Sequence, residues 1–248
     1  MKPVVLLALI AATGPGPALA APMAGDKSRY EACLAMARGT PERGIESAQA
    51  WRIEGGGVPA RHCLAIAQFG VRDYAASLTS FEAAANASAA ARDGQAVSLW
   101  AQGADAALLA AKPAVALRFL DEALKGDLSP KAAATLRVTR AEALVDLKRP
   151  TEAMADLDTA TTLDPGVRDG WLLKATLARR NGDLTTAEAA ILKAAENDPG
   201  SAEVQLEAGN IASAQGNATL ARAAWQAAAD ADPDSIAGKA AAKALAAE

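Results

Sequence analysis

Residues 146–165 read DLKRPTEAMADLDTATTLDP, residues 180–199 read RNGDLTTAEAAILKAAENDP, and residues 214–233 read AQGNATLARAAWQAAADADP. Each stretch closes on an Asp-Pro pair, and the pairs Asp164-Pro165, Asp198-Pro199 and Asp232-Pro233 stand 34 residues apart. With each proline set at position 32, the units begin at Ala134, Arg168 and Ala202. Small residues then fall at position 8 (Ala141, Ala175, Gly209), position 20 (Ala153, Ala187, Ala221) and position 27 (Ala160, Ala194, Ala228). A large residue falls at position 24: Leu157, Ile191 and Trp225. Two antiparallel helices approach closely only where no side chain intervenes, and the large residue fills the hole beside that contact. Between the helices, Asn181-Gly182-Asp183 and Gln215-Gly216-Asn217 offer a glycine to end one helix and an Asp or Asn to cap the next. The first unit has Lys148-Arg149-Pro150 instead, and proline is well tolerated where a helix starts. The Asp-Pro pair ends each unit, because the residue before proline avoids the helical region.

Composition agrees with this reading. Of 248 residues, 51% are hydrophobic but only 4% aromatic, with alanine dominant. Such a chain favours closely packed thin elements, and alanine is the best helix former, so an all-α fold follows. Twenty-five basic against twenty-nine acidic residues give a net charge of −4, which leaves no excess to neutralise phosphates and argues against nucleic acid. One histidine and two cysteines leave little material for a metal site or a His-based catalytic set, so neither cofactor nor catalysis is expected. His62 adjoins Cys63, but neighbours on a helix do not face each other, which argues against a dyad.

Upstream, the pattern fades. A further unit is expected over 97–133, with Trp100 at position 4 and Leu120 at position 24, and degenerate helical hairpins over 29–96. The remaining units are 134–167, 168–201 and 202–234, with a capping helix over 235–248 in which Ile236 and Leu245 cover the open edge of the last repeat. Residues 1–20 read as a secretory signal: Lys2, an apolar run from Val4 to Ala12, then Gly-Pro breakers and Ala18-Leu19-Ala20 as a cleavage site. That run is too short to span a bilayer. A flexible lead over 21–28 would come after cleavage at Ala20, placing the mature chain in the periplasm or outside with no stable membrane insertion. In that compartment Cys33 and Cys63 read first as a disulfide, with two buried thiols as the alternative.

The 34-residue helix–turn–helix pattern resembles the tetratricopeptide repeat. Trp171 and Trp100 stand at the family's signature tryptophan position, whereas Lys174 and Ala178 depart from its leucine at 7 and tyrosine at 11. The resemblance implies a right-handed α-α superhelix of stacked hairpins whose concave face uses positions 2, 5, 9 and 12. Carried onto this chain, those positions give Val138 and Glu142, then Leu172, Thr176 and Arg179, then Leu206 and Asn210 as candidate peptide contacts. The leucines have an alternative role in packing against neighbouring helices. Position 5 carries no lysine, so the family's carboxylate clamp is not supported. The function this resemblance implies is that of a non-catalytic scaffold of the bacterial cell envelope that binds a protein or peptide. The alternatives are an accessory subunit or self-associating, homo-oligomeric assembly factor of an envelope enzyme complex, and a cryptic hydrolase, for which no nucleophile–base set is visible.

Overall fold

The computed structural model describes residues 24–247, with side chains from residue 26. The signal and cleavage site expected over 1–20 lie outside the described residues. Thirteen helices and no strand occur among the described residues: α1 (Ala24–Gly39), α2 (Pro41–Ile53), α3 (Gly57–Gly70), α4 (Tyr74–Ala91), α5 (Ala96–Leu109), α6 (Pro113–Ala123), α7 (Pro130–Asp146), α8 (Pro150–Leu163), α9 (Arg168–Arg180), α10 (Leu184–Asn197), α11 (Ala202–Ala214), α12 (Ala218–Ala231) and α13 (Ile236–Ala246). They pair as six antiparallel hairpins, each packed on the next, with α13 on α11 and α12. Residues 24–28, expected to be part of a flexible lead, are the first turns of α1. Helix α7 starts four residues before its repeat unit because Ser129 caps it, accepting from Ala132 N at 3.2 Å.

The small-residue register is the core. Ala141, Ala153 and Ala160, with Ala175, Ala187 and Ala194, are fully buried, and so are Ala221 and Ala228. Leu157, Ile191 and Trp225 are buried beside them. The last unit trades volume between positions: a Cβ on Gly209 would fall on the Trp225 indole, so the bulkiest residue at position 24 faces the smallest at position 8.

Every hairpin from α3 onward turns through a left-handed residue at position 15: Arg72 (φ 63°), Ala111 (53°), Lys148 (61°), Gly182 (82°) and Gly216 (78°). Only the last two are glycine. The second helix then starts on an Asp or Asn cap (Asp73, Asp183, Asn217) or on a proline (Pro113, Pro150).

Carboxylates at position 25 tie successive hairpins together. Glu82 pairs with Arg118, Asp121 with Arg140 at 3.1 Å, and Asp158 with Lys174 at 2.7 Å. Lys174, the departure at position 7, is therefore an inter-repeat ion-pair partner, and its ammonium also lies over the Trp171 ring at 5.2 Å. Asp156 is buried against Arg137 (2.8 Å) and Arg140 (3.4 Å), and burial outweighs both guanidiniums to hold its carboxyl above the usual range.

At the carboxy terminus one expectation fails. Ile236 is 91% exposed and covers nothing; Ala237, Gly238 and Ala241 make the contact instead, with Leu245 half-buried beside them. The helix docks so closely, with Gly238 against the Asp232 carbonyl, that only small residues fit the contact face.

Candidate functional site

First helices touch one another along the stack, α5 with α7, α7 with α9 and α9 with α11, while the second helices stand farther apart. The stack therefore curves towards its first helices, which line the inner face. On that face Leu172, Thr176 and Leu206 line one depression of about 390 Å³, together with Glu203, Glu207, Ile236 and Ala237. Leu172 and Leu206 are half-buried, each packed on a core cluster at its base. The exposed Ile236 forms the rim, which gives it a place that edge-covering does not.

The other candidates sit differently. Val138 is buried against the backbone of Gly170, where a Cβ would meet its Cγ2 at 3.0 Å, and so serves the α7–α9 contact. Arg179 donates to both carboxylate oxygens of Glu207, at 2.7 and 3.1 Å. Asn210 donates to the same carboxylate at 3.2 Å and accepts from Trp225 Nε1 at 3.1 Å. Arg179 and Asn210 are thus spent within the wall. Glu207 at position 6, which the register did not select, organises that wall; its burial beside a bidentate arginine gives charge-assisted bonds of the stronger kind.

Glu142 is exposed and has no hydrogen-bond or ion-pair partner among the described residues. Burial of its flank raises its carboxyl above the usual range, and Asp169, Asp105 and Asp146 raise it further by repulsion. Asp105 is likewise unpaired, and burial raises it. Asp105 also lines a second depression of about 210 Å³ between α3 and α5, with Ile66, Phe69, Phe81, Gln102, Ala106 and the 75%-exposed Leu109. Ile66 and Asp105 are the position-9 residues of hairpins α3–α4 and α5–α6, so the same register extended upstream selects them.

Beyond this depression α1 packs directly on α3. Cys33 on α1 and Cys63 on α3 form a disulfide, with Cα atoms 6.1 Å apart. Beside it Tyr30 donates to Nδ1 of His62, whose Nε2 donates to Gln102 Oε1 at 2.9 Å. Both ring nitrogens of this buried, neutral imidazole are occupied, and burial holds its pKa below the usual value. His62 is a bridge between α1, α3 and α5 and is not aimed at Cys63. Among the described residues no group of three His, Cys, Asp or Glu side chains is placed to hold a metal ion.

Residues 134–166 and 172–236 match models of the tetratricopeptide repeat. These stretches are similar to tetratricopeptide repeats, and together they span less than half of the chain. No curated protein matches the chain in sequence. Among solved structures, the chain is similar to PilW, a widely conserved type IV pilus biogenesis factor, with TM-score 0.67, 16% identity, and 88% of this chain and 99% of that one covered. It is similar also to pilF of Pseudomonas aeruginosa (TM-score 0.65, 15% identity, 90% and 100% covered). A third is YrrB, described as a tetratricopeptide-repeat protein with an unusual peptide-binding site (0.56, 19%, 79% and 96%). At these identities the likeness is one of fold, an all-α solenoid of stacked hairpins.

Proposed function

We propose that the chain is a non-catalytic scaffold of the cell envelope that holds a protein or peptide segment against the face of its first helices. The observation that carries this reading is the depression where Leu172, Thr176 and Leu206 come together from two repeats, with half-buried leucines offering apolar edges to a ligand. Tetratricopeptide repeats are generally interaction scaffolds, and a stack of packed hairpins supplies a preformed surface, which limits the ordering cost of binding. Export is supported by the leader-like residues 1–20 and by the paired cysteines, which suit an oxidising compartment. None of the described helices is long and apolar enough to cross a membrane.

The test is capture of partners by the full chain from extracts of its source cells, alongside Leu172→Lys/Leu206→Lys. Circular dichroism first establishes that the variant is equally helical. A protein retained by the wild type and lost by the variant supports the reading; retention by both overturns it.

A further inference from the structure

The inner face is not neutral. At positions 2, 5, 9 and 12 of the hairpins from α5 to α12 it carries four carboxylates, Asp105, Glu142, Asp169 and Glu203, with Asp146 one position further along α7. The same positions hold one cation, Arg179, which Glu207 already claims. Arg168 lies beside Asp169 (2.8 Å) but divides itself between that residue and Asp198 (3.2 Å). Arg180 is exposed at the end of α9, as a helix terminus favours. Asp105, in the wall of the α3–α5 depression, and Glu142, on α7 between the two depressions, therefore keep their charge uncompensated.

We infer that the partner segment of this scaffold is basic, with Lys or Arg side chains lying along Asp105, Glu142 and Asp169, and apolar residues at its two ends. This rests on the scaffold reading above and specifies its ligand. The two depressions, one between α3 and α5 and one beneath α9, α11 and α13, supply the apolar subsites. They lie three first-helix spacings apart, about 25–30 Å at 8–10 Å each. An extended segment of about eight or nine residues spans that distance. An anionic ligand would meet like charge along the whole path. A single divalent ion does not fit, because the carboxylates are spread along the stack without converging. In the free protein Glu142 is repelled by Asp105, Asp146 and Asp169, and a bound cation removes that repulsion while replacing water the carboxylate already partly lacks.

Fluorescence anisotropy with the full chain provides the test. The probe is a labelled peptide of about ten residues with leucines at both ends and a lysine- and arginine-rich centre. One comparison peptide has a glutamate centre; another has serine ends. The basic peptide should bind, and the glutamate and serine versions should bind at least about tenfold more weakly. Asp105→Asn/Glu142→Gln should lose at least about tenfold in affinity for the basic peptide. Glu196→Gln/Asp230→Asn, an equal charge change on the second helices, should leave it unaltered. Asp105→Lys/Glu142→Lys should reverse the preference towards the glutamate peptide. Equal binding of both charge types, equal loss in the second-helix control, or no binding of the basic peptide overturns the proposal. Capture of a cellular partner that depends on Leu172 and Leu206 but ignores Asp105→Lys/Glu142→Lys overturns it too, and leaves the scaffold standing. Capture indifferent to Leu172→Lys/Leu206→Lys overturns the scaffold reading itself and this proposal with it.

Discussion

Between α1 and α6 the stack is held by a disulfide, a Tyr30–His62–Gln102 bridge and aromatic rings set against glycine, as where Trp51 lies on Gly56 and Phe119 on Gly103. Between α9 and α12 none of the covalent or imidazole devices occurs. There the hairpins close on alanine contacts, Asp and Asn caps, and glycine turns. Yet the turns from α3 to α12 adopt the same left-handed residue at the same position, whether it is Arg72, Ala111 or Gly216. Repeat geometry is therefore not the property of one sequence pattern. Where neighbouring helices supply enough fixed contacts, the local signals can be lost and the fold kept.

The largest expected difference between the two regions lies in the staple. Closing the loop between Cys33 and Cys63, 30 residues apart, stabilises by about 3–4 kcal/mol in the chain-entropy picture. Cys33→Ala/Cys63→Ala should therefore collapse amide-exchange protection of α1 and α2 and leave α9 to α12 protected, as nearest-neighbour coupling in a solenoid requires. Uniform loss along the chain would show the two regions to be one cooperative unit. Counting thiols in the denatured, unreduced protein checks the bridge directly, since two reactive thiols would refute it.

An intermediate effect belongs to the carboxy-terminal pair. Gly209→Ala gains helix propensity of about 1 kcal/mol but forces a methyl onto the Trp225 ring, and overpacking of this kind costs about 1–3 kcal/mol. The contact is with a rigid, buried ring whose Nε1 is tied to Asn210, so destabilisation should win, by about 1 kcal/mol in urea unfolding. Adding Trp225→Leu recreates the Ala141–Leu157 combination of the earlier repeat and should recover most of the loss. A single variant as stable as the wild type would mean that Trp225 shifts freely, and that size matching does not define this hairpin.

The smallest effect lies in the turns. Ala111 holds φ 53° at a cost of about 1 kcal/mol for a residue with a Cβ. Ala111→Gly removes that cost but enlarges the freedom of the unfolded chain, leaving a net gain of about 0.5 kcal/mol. Gly182→Ala, the mirror change in the later region, should destabilise by a similar or larger amount. Equal signs for the two would break the equivalence of the turns.

The contrast also explains how much the residues alone reveal. The later hairpins are legible because the 34-residue register places alanine, glycine and Asp-Pro where close contacts and chain reversal need them. In the earlier turns Arg72, Ala111 and Lys148 hide the same geometry, since no residue preference marks a strained position that packing enforces. On the inner face, the contact positions that the family resemblance implies, carried onto the register, pick out Leu172, Thr176 and Leu206. The same rule selects Arg179 and Asn210, yet they belong to the wall, because Glu207 lies outside the rule and captures both. Asp105 requires only those positions carried one hairpin further, whereas Leu109, one residue past position 12, escapes them. The exposure of Ile236 is not legible: it depends on α13 docking through Gly238, a contact set by backbone approach.

The most direct measurement replaces Leu172 in one strain, and Leu192 in another, with a photo-reactive phenylalanine analogue and crosslinks in living source cells. Leu192 is 58% exposed on α10, outside the inner face, and so controls for accessibility. A discrete protein adduct from position 172 and none from position 192 is the predicted result. An adduct from position 192 with none from position 172 would contradict binding through the first-helix face.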